Sequence, residues 1–427
     1  MSKLKVAINA NLETIPHSPT LLVNEQVNLQ RKQGKQVYQF GFGQSPFPVP
    51  ELLEKSLAEC AKLGHYAPSQ GLPELADAIA DYHQNIFDDQ LTRDNVVIGP
   101  GSKELIFHLL MLLDGPLLIP APSWVSYEAQ AKILNKTCHR LQTSFAEEYA
   151  LSPETLEQIC QKLGSGQKIL LLNTPNNPTG RIYSKDRLEA LAKVCRAHQV
   201  VVISDEIYAL LSFSTFNSMK QVYPEGTFVT SGLSKAFSAG GYRLGYCLIP
   251  SHMDRLRKTW VGLVSETYSC VTTPVQYAAQ SVYSAVPQLF PYIRQCALLY
   301  QAICNFSQRY LENLDLNCLS TQGGFYLFPD FNNLREPLKE KNITTNLALA
   351  DHLLQHYQVA MLPGSAFYMP DDHLSLRMAP VDFDGRELIS QSFDNQQLAE
   401  SNTITKLFPN VVAGLDKISE FVTHVKS

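Results

Sequence analysis

The chain has 427 residues, of which 45% are hydrophobic and 18% are charged, and its formal net charge is −5. This length exceeds what one hydrophobic core usually serves, so two domains are expected. The small negative charge argues against a broad basic face and hence against a nucleic-acid partner. A membrane span is not expected either, because the longest apolar stretch, residues 109–120, is interrupted by Asp114, Gly115 and Pro116.

The cysteine pattern favours reduced thiols. Nine cysteines are spread from Cys60 to Cys318 without a Cys-x-x-Cys pair, which is not the pattern of a disulfide framework or a zinc site. None of the eleven histidines lies in a cysteine-rich stretch, so no metal is expected. The first residues, from Met1 to Lys5, lead into a polar stretch without the apolar core of a secretory signal. We therefore expect a cytoplasmic protein.

Short apolar runs alternate with amphipathic stretches between residues 50 and 250. The predicted strands are 96–98, 117–119, 168–173, 200–204, 228–230 and 244–249, and the predicted helices are 103–113, 125–134 and 184–198. Ser152 followed by Pro153 predicts the N-cap and first position of a further helix. Strands alternating with helices predict an α/β layer with a largely parallel sheet. The strands are almost continuously apolar, which indicates that both faces of the sheet are covered.

The pattern changes after about residue 285 and suits a smaller α+β domain. Its predicted elements are two helical stretches up to residue 313, a strand at 324–328, a helix at 347–356 and a strand at 374–378. The polar segment 382–409 predicts a surface insertion before a last helix that begins at Val411. The predicted organisation is an N-terminal arm with part of the small domain (1–50), a large domain (51–285) and a small C-terminal domain (286–427).

Polar side chains follow the predicted strands, and ligands of an open α/β sheet bind beyond the carboxyl ends of its strands. Lys235 can form a Schiff base with an aldehyde cofactor, and a buried Asp205 can keep a pyridine nitrogen protonated. Tyr208 and Asn177 can hydrogen-bond a ring oxygen, and Trp124 can stack on a flat ring. Together these residues have the functional groups needed to hold pyridoxal 5'-phosphate (PLP).

A phosphate group requires N–H and cationic donors. Gly101, Ser102 and Lys103 lie between a predicted strand and a predicted helix, where a helix N-terminus presents free backbone N–H groups. Arg243 can add a bidentate charged contact, and Tyr66 a further hydrogen bond.

A second arginine, Arg377, is the candidate for the α-carboxylate of an amino-acid substrate. Two simpler interpretations stay open at this point. Arg377 can instead form an ion pair with Asp371, and Lys103 can simply be a solvent-exposed lysine in the first turn of a helix.

The order and spacing of these motifs resemble the class I/II aminotransferases of the fold-type I PLP enzymes, especially the bacterial aspartate aminotransferase-like branch. The resemblance covers residues 18–379. The motifs that carry it are Asn173-Thr174-Pro175-Asn176-Asn177-Pro178-Thr179-Gly180, Ser204-Asp205-Glu206-Ile207-Tyr208, Ser231-Gly232-Leu233-Ser234-Lys235 and Gly240-Gly241-Tyr242-Arg243. It implies a large domain with a mostly parallel seven-stranded sheet, a smaller α+β domain, and a homodimer with shared active sites.

The resemblance also implies a role for each matching residue. Lys235, Asp205 and Tyr208 are the expected catalytic residues. The expected cofactor contacts are Lys235, Gly101, Ser102, Lys103, Trp124, Asn177, Asp205, Tyr208, Ser234 and Arg243, with Tyr66 serving the neighbouring subunit. The expected substrate contacts are Gly43 through its backbone N–H, Trp124, Asn177, Arg377 and Lys103, which falls where the bacterial branch has a lysine that meets a distal carboxylate.

Three positions depart from the family pattern. Residues 43–47 read Gly-Gln-Ser-Pro-Phe where the family often has Gly-Glu-Pro-Asp-Phe, which indicates a different loop over the substrate. Gly232 replaces a phosphate-binding serine of some relatives. Tyr268 falls near the position at which eukaryotic-type aspartate enzymes place an arginine for the distal carboxylate.

The function implied by the resemblance is amino transfer between an L-amino acid, with aspartate as the first choice, and a 2-oxo acid, with 2-oxoglutarate expected. One alternative is a C–S β-lyase of the same fold, since the cofactor cage would be the same. Another is a non-catalytic PLP-domain effector sensor of the kind found in transcription regulators. The sensor is disfavoured, because fewer than about fifty residues precede the first α/β unit and they show no basic helix pair.

Overall fold

The computed structural model describes residues 6–9, 12–13, 15, 17–87, 90–391 and 393–427. The strands are β1 (Tyr38–Gln39), β2 (Val96–Gly99), β3 (Leu117–Ala121), β4 (Cys138–Gln142), β5 (Lys168–Asn173), β6 (Val200–Asp205), β7 (Thr227–Gly232), β8 (Gly245–Leu248), β9 (Val359–Ala360), β10 (Leu362–Pro363) and β11 (Leu376–Arg377).

The helices in the first two thirds of the chain are α1 (Pro19–Lys32), α2 (Glu51–Cys60), α3 (Pro73–Phe87), α4 (Ser102–Leu112), α5 (Ser126–Ile133), α6 (Pro153–Leu163), α7 (Lys185–Ala197), α8 (Met219–Val222), α9 (Asp254–Ser265) and α10 (Thr273–Ser284). The remaining helices are α11 (Val286–Glu312), α12 (Arg335–Glu340), α13 (Asn346–Tyr357), α14 (Gly385–Ile389), α15 (Asn395–Ala399), α16 (Ser401–Leu407) and α17 (Pro409–Lys426).

A seven-stranded sheet in the order β2-β8-β7-β6-β5-β3-β4 forms the centre of the larger part of the chain. It is parallel except for β8, which runs antiparallel to both of its neighbours. This confirms the predicted fold class, and each of the six predicted strands overlaps a strand of the sheet. Sequence reasoning missed β4, an edge strand with only one buried residue, Leu141, because its sequence lacks the apolar run of the central strands.

Alternate residues of the central strands fill two cores, since successive side chains point to opposite faces of a sheet. Ile169 and Leu171 pack with residues of α4, α5 and α9. Leu170 and Leu172 pack with residues of α6 and α7 on the other face. The predicted N-cap is also formed, because the Ser152 side chain accepts a hydrogen bond from the backbone N–H of Thr155.

In the described part of the chain, two small sheets lie outside the seven-stranded one: β1 pairs with β9, and β10 pairs with β11. The prediction of a regular strand at 324–328 was wrong. Leu327 forms only an isolated bridge with Met378, and the chain turns at Gly324, whose φ is +75°. The predicted strand at 374–378 is reduced to β11. The predicted domain boundaries stay a prediction.

The prediction of two separate helical stretches before residue 313 was also wrong, because α11 is one continuous helix of 27 residues. It contains Pro291 in its interior. A buried stripe along the length of this helix packs into the core; it comprises Leu289, Ile293, Cys296, Tyr300, Ile303, Ser307 and Leu311.

The segment predicted as a surface insertion forms the short helices α14, α15 and α16. It contributes Leu388, Leu398, Ile404 and Phe408 to the main core, so it is not merely a surface loop. The last helix begins at Pro409. In the described part of the chain no helix is both long and apolar enough to cross a bilayer.

Candidate active site

A cavity of about 560 Å³ opens at the carboxyl ends of the central strands. It collects residues from distant parts of the sequence. The predicted site residues that line it are Gly43, Ser102, Lys103, Trp124, Asn177, Asp205, Tyr208, Ser234, Lys235, Arg243 and Arg377. Its lining also includes residues that sequence reasoning missed: Ser18, Thr20, Gln44, Ser45, Ser238 and Tyr326.

Asp205 lies at the end of β6, in register with Asn173 of β5 and Thr230 of β7. One carboxylate oxygen accepts a hydrogen bond from the Tyr127 hydroxyl at 2.7 Å, and the other accepts from Thr230 at 3.3 Å. Burial raises the pKa of Asp205 to about 6, although these hydrogen bonds oppose the rise. Tyr127 was not predicted, although it lies only three residues after Trp124 in the sequence.

The turn after β5 is fixed by its own asparagines. The Asn173 side chain donates to the backbone carbonyl of Asp205 at 2.9 Å and accepts from the backbone N–H of Asn177 at 2.7 Å. This geometry brings the Asn177 side chain into the cavity, where its oxygen accepts from Arg377 at 3.3 Å. The turn therefore links the strand ends to the opposite wall.

Lys235 follows the end of β7 and reaches the loop that contains Gly43. Its Nζ donates to the Gly43 carbonyl at 2.9 Å and lies 5.5 Å from the ring centroids of both Tyr208 and Phe325. Among the described residues it forms no ion pair. The amine is thus held by uncharged groups beside the buried Asp205 carboxylate.

Arg243 and the N-terminus of α4 form a cradle at one end of the cavity. Arg243 donates to the carbonyls of Gly240 and Pro100 at 2.8 and 3.1 Å. Gly101 does not line the cavity but lies directly against this arginine, because a Cβ atom there would be 2.5 Å from Arg243 Nη2. Free N–H groups of the first helical turn beside a guanidinium suit a phosphate.

Lys103 lies near the mouth of the cavity. Its Nζ is 5.1 Å from the ring centroid of Trp124, and the side chain remains accessible to solvent. Partial burial, with Arg243 and Lys235 nearby, lowers the pKa of Lys103. Lys103 is therefore an exposed lysine, as the simpler interpretation held, but it faces the cavity.

Arg377 is 1% exposed and has no carboxylate partner among the described residues. It donates to the Gly41 carbonyl at 2.6 Å and to Asn177, while its Nε has no hydrogen-bond partner. Its guanidinium lies 4.7 Å from the ring centroid of Tyr326. The ion pair with Asp371 is not formed. Burial lowers the pKa of Arg377, and a bound carboxylate would offset the cost of this buried charge.

Tyr66 was predicted to serve the neighbouring subunit and not the cavity of its own chain. It is 87% exposed and does not line the cavity. For metals, the described residues hold no group of three possible ligands. His352 and His356 form a His-x-x-x-His pair one turn apart on α13, with ring centroids 4.4 Å apart, but no third candidate ligand joins them among the described residues.

A family model of the class I and II aminotransferases matches residues 35–383. An aspartate aminotransferase of Geobacillus stearothermophilus is 31% identical over 365 residues, which cover 83% of this chain and 90% of that protein. An asparagine–oxo-acid transaminase of Streptococcus mutans is 29% identical over 368 residues, with the same two shares. The aspartate aminotransferase of Thermus thermophilus with maleate has the same fold, with a TM-score of 0.83 and 23% identity over 97% of this chain and 100% of that one. The chain belongs to the class I and II aminotransferases, the transaminases of fold type I.

Proposed function

We propose that the protein uses PLP, bound through Lys235, to move an amino group between an L-amino acid and a 2-oxo acid. The observation that carries this proposal is the buried Arg377, a cation without a carboxylate partner among the described residues. It lines the same cavity as Lys235 and the buried carboxylate of Asp205. An α-amino acid would supply the missing carboxylate.

The residues present fit the cofactor. Asp205 would hold the ring nitrogen, Asn177 and Tyr208 the ring oxygen, and Trp124 a face of the ring. The phosphate would be held by Gly101, Ser102, Ser234, Arg243 and the backbone N–H of Lys103, which leaves the Lys103 side chain unassigned. When bound, PLP supplies the electron sink that makes the α-proton of an amino acid removable.

The side chains of this chain would then divide the remaining work. Arg377 binds and orients the α-carboxylate with the backbone N–H of Gly43. Asn177, which already contacts Arg377, and Trp124 complete the substrate contacts. The amine of Lys235 acts as general base and acid and moves the α-proton. Among the described residues its Nζ forms no ion pair that this transfer would break.

The charges of the cavity favour a dicarboxylate substrate. Among the residues that the structure describes, four cationic side chains and one carboxylate line the cavity: Lys103, Lys235, Arg243, Arg377 and Asp205. Arg243 is assigned to the phosphate and Arg377 to the α-carboxylate, so Lys103 remains for a second anionic group. Aspartate is therefore the first candidate donor and 2-oxoglutarate the candidate acceptor. Asparagine is the competing donor, since a neutral amide needs no second cation.

The donor is tested by measuring glutamate formation from 2-oxoglutarate with L-aspartate, L-asparagine or L-alanine. Lys103→Met should lower kcat/KM for aspartate by about 10- to 100-fold, the loss expected for one charge-assisted hydrogen bond, and should change the value for alanine little. Lys185→Met on α7 is the exposed-lysine control. Asparagine outpacing aspartate, with no effect of Lys103→Met, would contradict the dicarboxylate assignment. Multiple-turnover release of pyruvate and ammonia from a β-substituted amino acid such as an S-substituted cysteine, without an oxo acid, would indicate a C–S β-lyase instead.

We further propose a cytoplasmic homodimer in which Tyr66 contacts the phosphate bound by the neighbouring subunit. The 87% exposure of Tyr66 supports this arrangement. Mixed dimers of Lys235→Ala and Tyr66→Phe test it, because only a shared site gives the mixed dimer one fully intact site. Activity above that of either parent is expected. Activity no higher than the average of the parents would place Tyr66 outside the neighbour's site.

A further inference from the structure

Tyr326 contacts three residues of the proposed site, yet it has no assigned role. Its hydroxyl oxygen lies 2.9 Å from that of Tyr208 and 3.5 Å from the Gly43 carbonyl. Its ring lies beneath the guanidinium of Arg377. A Cβ atom at Gly43 would overlap the Tyr326 hydroxyl, so residue 43 must be glycine while Tyr326 occupies this place.

The hydrogen bonds of this group restrict which hydroxyl can donate. The Gly43 carbonyl only accepts, and Lys235 already donates to it at 2.9 Å. The contact from Tyr326 to that carbonyl is long at 3.5 Å, whereas its contact to Tyr208 is 2.9 Å. Burial raises the pKa of Tyr208 well above its usual range. Tyr208 therefore keeps its proton and can donate it to a ligand.

We propose that Tyr326 is a positioning residue that donates its hydroxyl proton to Tyr208 while Tyr208 donates to the ring oxygen of the cofactor. This inference rests on the proposed cofactor site. A hydroxyl that accepts a hydrogen bond becomes a stronger donor, because hydrogen bonds in a chain polarise one another. Tyr326 thus strengthens the contact of Tyr208 with the ring oxygen and stabilises negative charge on that oxygen.

This role has a spectroscopic consequence. Negative charge on the ring oxygen favours a proton on the nitrogen that joins Lys235 to the cofactor. A stronger hydrogen bond from Tyr208 offsets part of this negative charge. The oxygen then attracts the proton on the neighbouring nitrogen less strongly. The nitrogen then loses its proton at a lower pH. Loss of the Tyr326 hydroxyl should raise the pH midpoint of the visible absorbance change of the PLP-loaded protein.

The test compares Tyr326→Phe, which keeps the ring beneath Arg377, with the matched change Tyr300→Phe. Tyr300 is also buried, its ring centroid lies 4.9 Å from that of Phe325, and its hydroxyl donates to Ser45 and not to Tyr208. We expect a midpoint about 0.5 to 1 pH unit higher in Tyr326→Phe, the size of one neutral hydrogen bond. Tyr300→Phe should titrate like the unmodified protein.

A double-mutant cycle separates this role from a structural one. If Tyr326 acts through Tyr208, then Tyr326→Phe should cause no further shift in a Tyr208→Phe background. Additive shifts, an unchanged midpoint in Tyr326→Phe, or equal shifts in Tyr326→Phe and Tyr300→Phe would each overturn the inference. Tyr326→Met serves as a second hydroxyl-free variant if Tyr326→Phe does not fold. Absence of any visible band in the unmodified protein would instead overturn the proposed function, and this inference with it.

Discussion

The two walls of the cavity are built in different ways. The wall assigned to the cofactor lies on adjacent strand ends, with Asn173, Asp205 and Thr230 in register on β5, β6 and β7. The wall assigned to the substrate joins Gly43, Tyr326 and Arg377, which are far apart in the sequence. The sheet ladder fixes the first wall, whereas side-chain contacts between distant segments fix the second. Substitutions should therefore separate cofactor binding from substrate binding.

A chain of hydroxyl groups holds the substrate wall in place. Tyr300 donates to Ser45, Ser45 and Ser238 share a hydrogen bond of 2.7 Å, Ser238 contacts the Tyr292 hydroxyl at 2.8 Å, and Tyr292 donates to the Pro48 carbonyl. With this direction, Ser45, Ser238 and Tyr292 each accept one hydroxyl hydrogen bond and donate one. The loop that includes Gly43 is thereby tied to α11 and to the segment after Lys235.

The largest effect is expected at the cofactor wall, from Lys235→Ala. Its kcat should fall by at least about a thousandfold, because the proton-transfer group is lost. PLP should still bind without a covalent bond, through Asp205 and Arg243. Steady-state kinetics and the cofactor retained on gel filtration measure both effects, with Lys185→Ala as an exposed control. Full activity in Lys235→Ala would contradict the assignment of this wall.

Asp205→Asn should change the stability of the cofactor-free protein in a pH-dependent way. Burial raises the pKa of Asp205 from its usual 3.8 to about 6. Between these values the native state binds more protons than the unfolded state, so the free energy of unfolding falls as pH rises through this window. Above this pH window, the buried carboxylate lowers the free energy of unfolding by about 3 kcal/mol. Cofactor-free Asp205→Asn should therefore melt at a higher temperature than the unmodified protein at pH 8.

The difference in melting temperature should disappear near pH 4, where the native carboxyl is protonated. The same variant should bind PLP more weakly, because its amide cannot hold a protonated ring nitrogen. Asp372→Asn, at an exposed carboxylate, controls for the loss of one charge. A melting temperature for Asp205→Asn that is below that of the unmodified protein at pH 8 would show that the carboxylate is not destabilising.

Arg377→Ala changes the substrate wall and should leave cofactor binding intact. Losing a charged hydrogen-bond partner costs about 1.5–3 kcal/mol, so kcat/KM should fall by about 10- to 150-fold. KM should rise and kcat should fall, since the arginine orients both the ground state and the transition state. Arg377→Lys keeps the charge but loses the planar guanidinium, so its kcat/KM should lie between those of the unmodified protein and Arg377→Ala. Unchanged kinetics, or loss of the visible band, would contradict the separation of the walls.

The smallest effect is expected from Ser45→Ala, which interrupts the hydroxyl chain. A net loss of about 1 kcal/mol in loop placement corresponds to a roughly fivefold lower kcat/KM. Tyr292→Phe interrupts the same chain from α11 and should have a similar effect. The double variant should lose less than the sum of the two changes. Strict additivity of the two losses would show that these hydroxyls do not act as one unit.

The difference between the walls also explains what could be predicted from the sequence. Asn177, Asp205 and Lys235 each follow a strand within a short motif, so their meeting at one edge of the sheet follows from the strand order. Tyr326 and Ser45 could not be assigned, because their hydroxyl partners, Tyr208 for Tyr326 and Ser238 and Tyr300 for Ser45, lie more than a hundred residues away. For Gly232, the sequence shows only a departure from the family. The structure shows that a Cβ there would lie 2.6 Å from the Leu244 carbonyl oxygen.

The most direct test of the central claim is the absorbance spectrum of the purified protein with PLP, recorded before and after addition of L-glutamate. We predict a visible band that depends on Lys235 and that L-glutamate converts to a near-ultraviolet band, with one 2-oxoglutarate released per site. Lys235→Ala should show no such conversion. The absence of a visible band, or a band of the same intensity in Lys235→Ala, would contradict the assignment of Lys235 as the cofactor-binding, proton-transferring amine.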